Sequence, residues 1–178
     1  PVVSRHSENQ QQETAFIKDT GDKGQGVVVG MVDWGFDFAH TAYIENGNSG
    51  PNGKSRIIAL WDQRDRPLSG GSFRPEPYGY GRVFTKKQIN RALRSAKPYA
   101  ALGYHAADSD YGHGAHGTHV ADIAAGTKRA GGLGGVAPRA DLLFCHLASG
   151  PLSGLADLGD SVRILEALDW FRTMAGGR

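Results

Sequence analysis

Short apolar runs, each of strand length, divide the chain into segments of different polarity. Residues 26–33 read GVVVGMVD and residues 56–62 read RIIALWD, and both runs end in a carboxylate. A third run, LLFCHLA at residues 142–148, follows the proline-marked turn GVAPRAD. Continuous apolar runs of this length are typical of strands that are buried on both faces of a parallel sheet.

Amphipathic and small-residue stretches lie between these runs and predict helices. In TKKQINRALRS, Thr85 and Gln88 have the spacing of a capping box, so we expect a helix from about Lys86. The small residues of VADIAAG predict a closely packed helix that begins near the preceding histidines, and DSVRILEALDWFRTMAGGR has apolar positions near helical spacing. Residues 69–80, rich in glycine, proline and serine, predict a loop. The alternation of strands and helices predicts an α/β fold with a parallel sheet flanked by helices.

Composition and charge narrow the function classes. At 178 residues and 39% hydrophobic, the chain can bury one sizeable core, which favours a single domain. The net charge of +2 and the scattered basic residues predict neither a nucleic-acid partner nor a membrane partner. No apolar run reaches the roughly 18 residues of a membrane-spanning helix, and the polar first residues lack a signal-peptide pattern. The single cysteine, Cys145, excludes a disulfide framework and is expected to be a buried, inert thiol.

The candidate chemistry lies at Asp33 and in the segment GHGAHGTHVADIAAG. In parallel sheets functional groups collect beyond the carboxyl ends of the strands, and Asp33 is the last residue of the clearest strand. A carboxylate there can accept a hydrogen bond from a histidine and stabilise the imidazolium that forms when the ring takes a proton. His113, His116 and His119 are spaced at i, i+3 and i+6, whereas helical zinc ligands usually stand at i and i+4, so a zinc site is the less favoured interpretation.

Three segments together resemble subtilisin-like serine proteases, the subtilases of peptidase family S8. VVVGMVDWGFDFAH resembles their aspartate motif, HGTHVADIAAG their histidine motif, and GVAPRADLLFCHL the strand that follows. The resemblance implies a subtilisin-like fold in which Asp33 orients the general base His116. His119 is then the motif's second, structural histidine and His113 belongs to the preceding loop, because only the copy at His116 continues into T-H-V-A. Asp37 is expected to be a structural loop carboxylate.

The sequence also departs from the family pattern at several positions. Trp34 stands where the family usually has serine or threonine, Thr41 replaces a proline, and Asp122 replaces a glycine of the histidine helix. Ala42 stands where many members have a calcium-binding aspartate, which puts that calcium site in doubt, and we expect no cofactor and no metal. Each departure is expected to reshape the surroundings of the Asp–His pair without removing it.

The resemblance implies a division of the chain into two parts. Residues 1–25 are expected to be an N-terminal extension, and residues 26–178 the N-terminal half of a subtilase catalytic domain. The separation of 83 positions between Asp33 and His116 is longer than in compact members. It indicates an insertion spanning about residues 45–110, like that of some bacterial subtilases.

Nothing in the chain resembles the nucleophile motif G-T-S-x-A-x-P or the oxyanion strand before it. Ser149, Ser153 and Ser161 lack the glycine-framed elbow of a nucleophile, so the C-terminal half is expected to be missing. We therefore expect a serine endopeptidase with an Asp-His-Ser triad in the intact protein, and a chain that is inactive alone. Its expected partners are a peptide or protein substrate and the C-terminal half of the same domain, and the isolated chain is expected to self-associate.

The role of one segment and the function of the intact protein each have an alternative interpretation. The segment SGPLSGLADLGD aligns loosely with the family's substrate-pairing edge, which makes Ser153 and Gly154 candidate substrate-binding residues. An ordinary strand-to-helix loop explains the same segment. The alternative function is a noncatalytic, subtilase-like binding or scaffold module that retains the pair but has lost proteolysis.

Overall fold

The computed structural model describes residues 23–47, 53–107, 115–128, 134–148 and 161–176. Its strands are β1 (Val28–Asp33), β2 (Ile57–Asp62), β3 (Arg82–Thr85) and β4 (Asp141–His146). Its α-helices are α1 (Lys86–Leu93), α2 (Pro98–Leu102), α3 (His116–Ala125) and α4 (Ser161–Ala175). Within these ranges no helix is both long enough and apolar enough to cross a membrane.

The strands form one sheet in the order β1-β4-β2-β3. β4 pairs in parallel with both β1 and β2, as the apolar runs predict, whereas β3 pairs antiparallel with β2. The sheet is therefore mixed, with one antiparallel edge strand that the sequence did not reveal. β3 has only four residues, too few for its alternation to stand out from the loop before it.

Two apolar cores cover the two faces of the sheet. Consecutive residues of β4 alternate between them, with Leu142 and Phe144 in one core and Leu143 and Cys145 in the other. The first core is closed by α1, α2 and α3, and the second by α4. Burial raises the pKa of the Cys145 thiol well above its ordinary value, which fits the expected inert cysteine.

Helix α4 approaches β1 closely at Gly30. A β-carbon added to Gly30 would lie 2.6 Å from Cδ2 of Phe171, so only glycine permits this contact. Helix α4 also contacts the loop before β3. There Tyr78 donates a hydrogen bond to Asp169 at 2.7 Å, and Tyr80 donates one to Glu166. The end of this loop, at Tyr78 and Tyr80, thus packs against the second core.

The capping box predicted at the start of α1 is confirmed. Thr85 is the N-cap, its backbone N–H donates to Oε1 of Gln88 at 2.6 Å, and its hydroxyl accepts from the backbone N–H of Gln88 at 3.5 Å. The helix begins at Lys86 as expected. Local side-chain chemistry alone therefore fixes this boundary.

Arg56, directly before β2, is a buried cation that ties several elements together. Its guanidinium donates to the carbonyls of Ala140 at 2.6 Å and Ala42 at 2.9 Å, to the carbonyl of Ala125, and to the hydroxyl of Thr127 at 2.9 Å. Ala125 ends α3, so a cation satisfies carbonyls that the helix leaves without partners. Burial lowers the pKa of Arg56, although the charge of Asp141 opposes that shift.

Candidate active site

Three polar side chains stand side by side where the parallel strands end. In the sheet register His146 of β4 lies opposite Asp33 of β1 on one side and opposite Asp62 of β2 on the other. This row forms the carboxyl edge of the parallel part of the sheet, where α/β folds collect functional groups.

Asp33 and His116 are in direct contact. Nδ1 of His116 lies 2.8 Å from Oδ1 and 3.0 Å from Oδ2 of Asp33. The Asp33 side chain is 11% exposed and that of His116 is 51% exposed, so the carboxylate is sheltered while the imidazole remains accessible. Nε2 of His116 has no hydrogen-bond partner among the described residues, which leaves it open to an incoming group.

The loop after β1 places the helix that carries His116. The backbone N–H groups of Gly117 and Thr118 donate to the carbonyls of Trp34 at 2.8 Å and Gly35 at 3.1 Å. The Thr118 hydroxyl donates to the same Gly35 carbonyl and accepts from the N–H of Asp37 at 2.8 Å. Backbone carbonyls therefore cap α3, and the loop that follows Asp33 fixes the position of His116.

Trp34 covers part of the His116 ring. The two rings are stacked, with centroids 4.7 Å apart and an interplanar angle of 22°. The side chain that departs from the family pattern therefore contacts the imidazole directly. A flat aromatic face beside the ring limits the orientations the imidazole can take.

Asp37 lies in the same loop but contributes to its shape. Its Oδ1 accepts from the N–H of Ala39 at 3.0 Å and from the hydroxyl of Tyr99 at 2.9 Å. Burial, then the hydrogen bond to Asp37, raises the pKa of Tyr99 to about 12, so the phenol donates at neutral pH. These contacts fit the structural role expected of Asp37.

A buried charged cluster around Asp62 was not predicted from the sequence. Asp62 is fully buried and accepts from Nε of Arg64 at 2.7 Å and from Nε and Nη2 of Arg82 at 3.0 and 2.9 Å. Burial by itself would raise the pKa of Asp62. Hydrogen bonding and charge from Arg64, with the charges of His146 and Arg82, outweigh it and lower that pKa. The one local sign in the sequence is a carboxylate at the end of a wholly apolar strand, with an arginine two positions on.

Of the other candidate residues, the structure describes only His119 and Ser161. His119 is exposed on α3, and Ser161 is the exposed first residue of α4. His113, Ser149, Ser153 and Gly154 lie outside the described residues. Within the part of the chain that the structure describes, no three His, Cys, Asp or Glu side chains are grouped so as to hold a metal ion.

Comparison with known proteins adds a family match and a structural likeness. The sequence model of the Subtilase family matches residues 24–169. Among solved structures, the CspB protease of Clostridium perfringens is similar, with 24% sequence identity and a TM-score of 0.57. The match covers 87% of this chain but only 27% of that chain, and at this identity it shows a shared fold. No curated protein sequence matches the chain significantly.

Proposed function

The chain belongs to the subtilase family, a family of serine peptidases, and on that premise we propose that the intact protein is a serine endopeptidase whose triad includes Asp33 and His116. The observation that carries the proposal is the contact between Nδ1 of His116 and the Asp33 carboxylate, with half of the imidazole exposed. A sheltered carboxylate on one nitrogen and an open second nitrogen are what a general base requires.

The proposed chemistry follows from the direction of that hydrogen bond. With its proton on Nδ1 donated to Asp33, the His116 ring presents the lone pair of Nε2. In acyl transfer this nitrogen takes the proton of a serine hydroxyl as the hydroxyl attacks a peptide carbonyl, then returns it to the leaving amine. Asp33 stays ionised, holds the ring in this tautomer and stabilises the imidazolium.

The serine itself is proposed to come from outside this sequence. The chain contains no G-T-S-x-A-x-P segment, and it matches 27% of the length of the CspB structure. We propose that residues 26–178 form the N-terminal part of the catalytic domain and that the C-terminal part supplies the nucleophile and oxyanion donors. Without those groups a tetrahedral intermediate has no stabilisation, so the chain alone is expected to be inactive.

Peptide is the proposed substrate, and Ser153 and Gly154 remain predicted substrate-binding residues. Subtilase substrates are expected to add as an extended strand, with main-chain hydrogen bonds giving affinity. Substituting either residue should therefore change KM more than kcat.

A serine-directed fluorophosphonate probe tests the proposal. The full-length protein should be labelled, whereas this chain alone should not. Asp33→Asn should slow labelling by about 10⁴-fold because the imidazole loses its orienting partner, and His116→Ala should abolish it. His119→Ala, on an exposed position of the same helix, is the matched control and should label normally.

Two results would contradict the proposal. Labelling of a serine within this chain alone would show that the nucleophile is here. A folded full-length protein that never labels would instead support the noncatalytic module.

A further inference from the structure

The buried hydroxyl of Tyr104 contacts the loop after β1, next to the candidate site. The residue is 1% exposed and belongs to the segment of residues 45–110 between the two sequence motifs. Its hydroxyl accepts a hydrogen bond from the backbone N–H of Phe36 at 3.1 Å. Phe36 follows Asp33 by three positions, so this bond acts on the loop directly beyond the carboxylate.

The same hydroxyl also reaches the end of the sheet. Its oxygen lies 2.9 Å from Nδ1 of His146, which is hydrogen-bond distance. The Tyr104 hydroxyl therefore links the Phe36 amide to the last residue of β4. Burial, and then the charge of Asp62, raises the pKa of Tyr104, which keeps the phenol protonated.

The other end of this chain of bonds is anchored in the sheet. His146 is the last residue of β4 and is held in register between Asp33 and Asp62. The guanidinium of Arg64, bound to Asp62, lies over the Tyr104 ring, with its Cζ 5.4 Å from the ring centroid. The phenol is thus fixed from both its hydroxyl and its face.

The loop end of the chain of bonds leads to His116. The Phe36 ring stacks on Phe144 with centroids 4.3 Å apart, and a β-carbon at Gly117 would lie 2.7 Å from it. The start of α3 therefore rests on Phe36. A displacement of Phe36 must move the helix start, and with it the imidazole.

We propose that Tyr104 is a positioning residue for the Asp33–His116 pair. Its hydroxyl fixes the position of the Phe36 amide relative to the end of β4. The loop around Phe36 in turn fixes the start of α3, and with it His116. The proposal rests on the proposed function, since it concerns the same pair. It gives Tyr104, which lies between the two sequence motifs, a role in catalysis that acts through the loop after β1.

The test compares Tyr104→Phe with Tyr80→Phe in the full-length protein. Both variants remove one hydroxyl, but the Tyr80 hydroxyl bonds Glu166 on the other face of the sheet. With a peptide substrate, Tyr104→Phe should lower kcat by about tenfold and leave KM within about twofold, because misplacement of a catalytic group costs rate more than binding. Tyr80→Phe should change neither.

A second readout does not depend on activity. A proton held between Nδ1 of His116 and Asp33 gives a far-downfield NMR resonance, which can be assigned by its loss in His116→Ala. Tyr104→Phe should shift or broaden this resonance, and Tyr80→Phe should not. If the wild-type protein shows no peptidase activity, the proposed function fails and the resonance alone decides the role of Tyr104.

The results that overturn the proposal are specific. In an active protein, a kcat for Tyr104→Phe equal to that for Tyr80→Phe refutes it, and in an inactive protein an unchanged resonance does. Should Tyr104→Phe fail to fold, His146 provides the test from the other end. His146→Asn, whose amide can still hydrogen-bond the Tyr104 hydroxyl near the Nδ1 position, should retain both readouts, whereas His146→Leu should lose them. Equal behaviour of these two variants would also refute the proposal.

Discussion

Gly117 and Phe36 are in such close contact that a β-carbon on Gly117 would lie 2.7 Å from Cε1 of the Phe36 ring. The glycine of the sequence HGTH therefore has a packing reason: the helix start can approach the loop only without a side chain there. The same contact lies at the start of α3, next to His116, the first residue of that helix.

Gly117→Ala should destabilise the protein although alanine is the better helix former. Overpacking costs about 1–3 kcal/mol, which exceeds the gain of about 1 kcal/mol from helix propensity. Urea unfolding of wild type, Gly117→Ala, Phe36→Leu and the double variant measures the coupling. The double variant should be more stable than the sum of the single effects predicts, and simple additivity would contradict the proposed clash.

Trp34→Ala should loosen the His116 ring. The stacked pair is lost, which costs about 0.5–1.5 kcal/mol of stability, and kcat of the full-length protein should fall because the imidazole samples more orientations. Trp34→Phe keeps an aromatic face and should retain most of the stability and most of the kcat. Equal kcat values for Trp34→Ala and wild type would show that the stack has no part in orienting the ring.

Lowering the pH should reduce the free energy of unfolding, because it protonates Asp62. The pKa of Asp62 is lowered in the folded protein, so its stabilising contribution is present above its unfolded pKa. That contribution should be lost progressively as the pH falls below about 4. Asp62→Asn should cost about 3–5 kcal/mol at neutral pH, since Arg64 and Arg82 lose a buried counter-ion. It should also flatten the acid limb of a plot of urea midpoint against pH.

Asp65→Asn is the control for that experiment, because Asp65 is exposed and only three residues away. Its stability profile should follow that of wild type. A steep acid limb that persists in Asp62→Asn would show that other carboxylates cause the acid sensitivity.

Thr85→Ala should cost about 0.5–2 kcal/mol by removing the cap of α1. Thr85→Ser keeps the hydroxyl and should lose much less. Denaturation midpoints of the two variants measure the difference, and an unchanged midpoint for Thr85→Ala would argue against an energetic role for the capping box.

The isolated chain should self-associate. β1 ends the sheet on one side among the described strands, and α4 exposes Leu165 at 65% and Leu168 at 53%. Unpaired strand edges and apolar faces promote association. Sedimentation at several concentrations should show oligomers, and Leu165→Glu with Leu168→Glu should shift them toward monomer. A strictly monomeric wild-type chain with a high melting temperature would contradict this expectation.

Features set by neighbouring residues were predictable from the sequence. The apolar runs located β1, β2 and β4, and the capping box located the start of α1, because burial pattern and local hydrogen bonding determine them. The contact of His116 with Asp33 joins distant positions, and it was expected from the resemblance of the two motifs to those of subtilases and from the place of Asp33 at the end of a strand.

The buried charged cluster and the contacts around it were not predictable. Asp62, Arg82, Tyr104 and His146 meet only after three strands have paired, and no spacing between them announces the cluster. His146 was simply part of an apolar run. The stack of Trp34 on His116 was missed for the same reason, since it depends on how the loop turns after β1.

The described residues between positions 45 and 107 contribute to the sheet and to both apolar cores. They supply β2 and β3, send Tyr104 into one core, and pack Tyr78 and Tyr80 against the other. Deleting this segment would expose the apolar cores on both faces of the sheet. A shorter version of the domain would therefore need new apolar side chains on each face. In a lineage of related proteins this segment is therefore expected to be inherited with the strands around it, and not exchanged between members like a surface loop.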